Sequence, residues 1–251
     1  MNTVKRILIA WPDGIYPGVN VDMNANTEAF FNSEEAFCFS SLNPEDIPKC
    51  DGLIFPGGAP DVNPKLYGES NTACGIIDDR MDSLQLAMIR RAVELRKPIF
   101  GICRGYQLVS VYFGATMIQD ISSSEYHKYD EDNPKFHEIF NVKGTMFYRE
   151  FGASITINSA HHQALKRLPE CLRIGQLWCR DSVKAEEYLR LAEAGELHEC
   201  PEGCVIEAVY NTSYPFVGLQ WHPEMPGVFY CRHIDSELHK VREIFYRMMN
   251  N

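Results

Sequence analysis

Brief apolar runs closed by turn residues recur along the first hundred positions. ILIA (residues 7–10) meets Pro12-Asp13-Gly14, GLIF (52–55) runs straight into Pro56-Gly57-Gly58, and PIFGI (98–102) runs into Cys103. Runs this short, with branched side chains and Gly/Pro boundaries, predict buried strands. From Asp78 to Arg96, residues Leu84, Ile89, Ala92, Val93 and Leu95 belong to an apolar stripe with charges opposite, which predicts a helix. YQLVSVYF (106–113) has the same spacing and stops at Gly114, a natural helix terminator. Between the first two strands, Asn26 to Phe37 reads as a short helix and AFCF (36–39) as a further strand. Strand, irregular stretch, strand, helix, strand, helix is the order of a parallel sheet with covering helices.

Farther on the period changes. Residues 121–136 are polar and turn-rich and predict a surface loop, with His127 and His137 in or beside it as solvated or structural side chains. EIFNVKG, ASITINS, CLRIGQLWC and CVIEAVYN then read as short strands between turns, an antiparallel or mixed section beside the parallel sheet. KAEEYLRLAEAGELH (184–198) predicts an amphipathic helix supported by the Glu186/Arg190 pair, and Ile234 to Met249 a closing helix against the sheet.

Composition narrows the classes. The 251 residues can bury a substantial core and are read as one domain, and 45% hydrophobic with 23% charged residues suits a soluble globular chain. A net charge of −10 argues against nucleic acid or an anionic membrane as partner. Nine cysteines without regular spacing fit reduced thiols in a cytosol better than a disulfide framework. Cys200 and Cys204 have no matching Cys or His pair nearby, so no zinc site is read there. Only a short apolar run follows Lys5-Arg6, too short for a signal peptide or a membrane span, and a cytoplasmic location is expected.

Three local patterns carry chemistry. Cys103 is flanked by Gly101 and Gly105 at a strand-to-helix junction, the arrangement of the G-x-S-x-G nucleophile turn with a thiol for the hydroxyl. The helix that follows aims its amino end at the sulfur and favours the thiolate. The bland reading is a buried structural cysteine. Pro56-Gly57-Gly58 after a strand suits an oxyanion hole, where backbone N–H groups face developing charge; the bland reading is a plain turn. FVGLQW ends in His222, and Glu224 follows two residues on, on the same side of extended backbone, so the carboxylate can orient the ring. The three together favour nucleophilic catalysis over any bland reading.

These residues resemble the class I glutamine amidotransferase superfamily, and within it the γ-glutamyl-γ-aminobutyrate hydrolase, or peptidase C26, family. The resemblance rests on FPGGAPDVNPKLYGE (55–69), RMDSLQLAMIRRAVELRKPIFGICRGYQL (80–108), INSAHHQA (157–164), VIEA (205–208) and VGLQWHPE (217–224). It implies a flavodoxin-like α/β sandwich, mostly parallel, with the site at the strand ends. It further implies Cys103 as nucleophile, His222 as general base and acid, and Glu224 as the orienting carboxylate. The amides of Gly58 and Arg104 would form the oxyanion hole, and Gln107, Asn158, Ser159, His161 and His162 would line the glutamyl pocket. The implied partner is a small γ-glutamyl substrate; no metal or organic cofactor is expected, and a homodimer stays open. Residues 11–45 are shorter than the family pattern, and the 184–198 helix reads as an insertion that could border the pocket. Three functions compete: a stand-alone hydrolase of a γ-glutamylated amine, a glutaminase subunit feeding ammonia to a separate synthase, and a non-catalytic binding protein on the same fold.

Overall fold

The computed structural model describes residues 4–12, 22–128, 130, 132–225 and 232–250, with the side chains of 232–236 left aside. The expected turn at Asp13-Gly14 lies outside them. Five parallel strands open the main sheet: β1 (Lys5–Ile9), β2 (Ala36–Ser40), β3 (Gly52–Phe55), β4 (Ile99–Ile102) and, much later in the chain, β11 (Phe216–Leu219). β5 (Thr116–Ile118) and β8 (Ala164–Arg167) pair as a separate two-stranded sheet that the apolar pattern did not predict. β6 (Lys135–Asn141), β7 (Ser154–Ser159), β9 (Leu172–Cys179) and β10 (Cys204–Asn211) continue the main sheet, whose order is β2-β1-β3-β4-β11-β10-β9-β6-β7. Every pairing from β2 to β11 is parallel and every pairing from β11 to β7 antiparallel, so the mixed section is joined to the parallel one edge to edge.

The parallel strands are apolar on both faces because helices cover both. In β1, Ile7 and Ile9 enter one core and Leu8 the other, the two-residue alternation of a pleated strand. Helices α2 (Asp79–Glu94) and α3 (Arg104–Tyr112) fill one side with Met88, Ile89, Ala92, Leu108 and Val109. Helices α1 (Met23–Phe31) and α7 (Arg232–Met248) fill the other, where Phe31, Phe100 and Phe245 meet at ring separations of 5.5–5.9 Å. Such aromatic contacts add about 0.5–1.5 kcal/mol each beyond area burial.

Helix ends follow their capping residues more than their apolar stripes. Asp78 caps α2 by accepting from the Met81 amide, the start that the sequence predicts. The helix expected at 184–198 runs instead from Ser182 to Ala194 (α6), capped by Asp181 and ended by Gly195 in the left-handed region at φ 74°. Residues 121–136 are not wholly a surface loop: Ser124–His127 form a turn of helix (α4) whose last residue, His127, is fully buried. A further short helix, α5 (Met146–Phe151), sets Phe147 into the second core.

Candidate active site

Because β3, β4 and β11 are neighbours in the sheet and run the same way, their carboxyl ends lie side by side. The chain leaves those ends through Pro56-Gly57-Gly58, Cys103 and His222 respectively. Three patterns far apart in sequence therefore meet at one edge of the sheet, where open α/β folds bind ligands.

Cys103 sits between β4 and α3 at φ 47° and ψ −110°, a conformation that L side chains seldom adopt. Its amide donates to the Leu219 carbonyl of β11 at 2.7 Å and its carbonyl accepts from the Gln107 amide at 3.0 Å, which hold the strained residue between strand and helix. Gly105 explains why the turn can be so tight. A Cβ there would lie 2.0 Å from the Phe55 carbonyl oxygen, and the Gly105 amide already donates to the Pro56 carbonyl at 3.1 Å.

His222 is buried, and its Nδ1 donates to Glu224 Oε1 at 2.8 Å. The ring also hydrogen-bonds the Cys103 side chain, and with Nδ1 engaged by the carboxylate, Nε2 is the nitrogen left for sulfur. Burial pulls the imidazole pKa down, but the Glu224 charge and then Cys103 outweigh it and hold the group well above its ordinary 6.5.

Arg104 takes a part its position in the turn does not suggest. Its guanidinium is buried, ion-paired with Asp82 and hydrogen-bonded to Gln85 Oε1 of α2. Gln85 in turn donates to the Ala10 carbonyl at 2.6 Å, and Asp82 accepts from the Asn63 amide at 3.1 Å. The first turn of α3 is thereby fastened to α2 and to the end of β1. Removing one partner of a buried pair leaves an uncompensated charge, which typically costs about 3–5 kcal/mol.

A cavity of about 320 Å³ opens at this edge, lined by Gly58, Cys103, Arg104, Gln107, His161 and His162 among others. Gln107, on its wall, donates to the buried Gln220 Oε1 at 3.0 Å. His162 stands between Asp61 and Asp120, 3.3 Å from each, and the hydrogen bond to Asp61, working against partial burial, holds its pKa above the ordinary value. Asn158 and Ser159 are not among the lining residues. Asn158 instead clamps the backbone of His222, donating to its carbonyl at 2.7 Å and accepting from its amide at 2.9 Å. Ser159 is fully buried and its hydroxyl has no hydrogen-bond partner among the described residues. Asp61, which also fixes the Gly75 amide at 2.7 Å, is a lining residue that motif reading missed.

Known proteins resemble this chain in sequence and in fold. The family model described as Peptidase C26 matches residues 44–224. A putative glutamine amidotransferase-like protein, YvdE, of Lactococcus lactis is 32% identical over 200 residues, covering 78% of this chain and 72% of that protein. The γ-glutamyl-γ-aminobutyrate hydrolase PuuD of Escherichia coli is 31% identical over 196 residues, covering 73% and 68%. The crystal structure of a glutamine amidotransferase from Thermotoga maritima superposes with a TM-score of 0.65 at 14% identity, covering 99% of this chain and 100% of that one.

Proposed function

We propose that this chain, which belongs to the peptidase C26 family and is an amidotransferase-like hydrolase, cleaves the γ-glutamyl amide bond of a small γ-glutamylated amine through a Cys103 thioester. The observation that carries the reading is the contact of Cys103 with His222 and of His222 with Glu224, at the mouth of a cavity sized for a small molecule. The Cys103 sulfur adds to the γ-carbonyl carbon, and the carbonyl electron pair moves to oxygen. The amides of Gly58 and Arg104 stabilise that oxyanion. On collapse the C–N bond breaks and the His222 imidazolium gives its proton to the departing amine. Water, deprotonated by His222, then attacks the thioester carbon, and glutamate leaves as the sulfur regains its electron pair. Gln107 and His162 face the glutamyl group with His161 in the wall beside them, and the His162 cation is suited to its α-carboxylate.

The test is glutamate release from a panel of glutamine, γ-glutamyl-γ-aminobutyrate and other γ-glutamyl amines and peptides. Fast release from one amine by the isolated protein is the expected result. The name of the Lactococcus relative favours a second reading, an amidotransferase glutaminase. Release from glutamine alone, or only once a synthase is added, would select that reading and overturn the first.

The raised imidazole also sets a pH dependence. A folded pKa above the unfolded 6.5 means the fold favours imidazolium, so its stabilisation is complete below 6.5 and is lost as pH rises through the higher value. Proton delivery to the amine needs that same imidazolium. The alkaline limb of kcat/KM is therefore expected well above pH 6.5, and Glu224→Gln should move it acidward. An unmoved limb would assign it to another group.

A further inference from the structure

Behind the cavity wall, on the antiparallel side of the sheet, three imidazoles converge on one carboxylate. Glu207 lies on β10 with no exposed surface, in the apolar run CVIEAVYN. Its Oε1 stands 3.5 Å from Nε2 of His127, 3.4 Å from Nε2 of His137 and 3.8 Å from Nε2 of His161. All four side chains are more than nine-tenths buried, and the three nitrogens meet Glu207 as long ion-pair contacts rather than as well-aligned hydrogen bonds.

The opposite edges of the rings are held by backbone carbonyls. Nδ1 of His127 faces the Ser123 carbonyl at 2.9 Å, that of His161 the Gln163 carbonyl at 2.9 Å, and that of His137 the Tyr126 carbonyl at 3.4 Å. A carbonyl only accepts, so each Nδ1 carries a proton and Nε2 is the ring atom turned toward Glu207. Burial pushes the Glu207 carboxyl up, but the three imidazoles outweigh it and hold the group well below its ordinary value.

We propose that His127, His137 and Glu207 bind a divalent transition-metal ion of the zinc type, with His161 as the fourth donor. The donor atoms of the first three lie within 4.8 Å of one another. Tetrahedral zinc with ligands at about 2.0–2.1 Å sets neighbouring donor atoms about 3.3–3.4 Å apart; the distances to Oε1 are already 3.4–3.8 Å, and the ring nitrogens would draw in from separations of up to 4.8 Å. Backbone carbonyls behind the rings are the usual support for metal-bound histidines. Imidazole with carboxylate suits zinc over magnesium or calcium, which take oxygen ligands. The ion is structural in this assignment. It ties α4, β6 and the residues after β7 to β10 and so braces His161, which lines the cavity, while Trp178 of β9 closes on His127 edge-on with a ring separation of 4.6 Å.

The experiment titrates chelator-treated protein with Zn²⁺ alone, following bound metal and Tm, for wild type, Cys103→Ala, His137→Ala and Glu207→Gln. Wild type and Cys103→Ala are expected to take one equivalent and, at 100 times the dissociation constant, to gain roughly 5–10 °C in Tm. His137→Ala and Glu207→Gln are expected to bind about 100-fold more weakly or worse, since losing a ligand exceeds the 10–100-fold typical of losing its support. No uptake by wild type, or uptake equal in all four proteins, overturns the site. Should a variant fail to fold, the Co²⁺ form of wild type decides alone. Nitrogen and oxygen ligands give no thiolate charge-transfer band, whereas such a band would place the metal on cysteines and sink the proposal.

Discussion

Cys103→Ala is expected to lower γ-glutamyl amide turnover by about 10⁴-fold or more while the protein stays folded. Alanine keeps the oxyanion donors, the cavity and His222, so binding and transition-state hydrogen bonding survive. What disappears is the atom that forms the thioester, and the remaining route is direct attack by water. Side chains that act as one unit are not additive, so His222→Ala should cost nearly as much, and Glu224→Ala less, because the carboxylate only orients the ring and supports its charge. Steady-state kinetics with circular dichroism on the same samples checks this. Residual turnover by Cys103→Ala clearly above background would remove Cys103 as nucleophile.

Gly105→Ala tests the turn rather than the sulfur. The added methyl would meet the Phe55 carbonyl at 2.0 Å and Phe55 Cβ at 2.7 Å. Both belong to β3, a central strand with little room to retreat. Overpacking of this kind costs about 3 kcal/mol, equivalent to roughly 6–12 °C in Tm for a chain of this size. Any relief must come from moving α3, which begins at the proposed donor Arg104, or β3, whose exit turn holds the other, Gly58. Activity should therefore fall even at temperatures where the variant remains folded. A variant with unchanged Tm and rate would show that the turn relaxes without disturbing the site.

The parts of this fold legible in the sequence are those governed by short-range rules. Uninterrupted apolar runs gave the parallel strands, and 3.6-residue periodicity gave α2 and α3. Cys103, Gly58 and His222 could be singled out because each sits beside glycine or proline at a strand end. The residues that escaped are those whose meaning depends on a distant neighbour. Asn158 reads like a pocket residue, yet its amide is spent on the His222 backbone 64 positions away. Arg104 looks like part of the turn until Asp82 and Gln85 are found beneath it. His127 and His137 lie in a polar segment typical of surface, and only the long reach of β10 brings Glu207 under them. One local signal was available: a lone carboxylate inside an otherwise apolar strand is costly unless something nearby compensates it.

The place of β11 has a consequence for how the chain is made. It is the last strand in sequence but the fifth of nine in the sheet, inserted between β4, finished by residue 102, and β10, finished by residue 211. Until residues 216–219 have left the ribosome, each of those neighbours keeps an unpaired edge able to join another nascent chain. The Leu219 carbonyl that pins Cys103 arrives with the same strand. Assembly of the nucleophile turn thus coincides with closure of the sheet, and the chain gains its reactive centre as those two edges become paired.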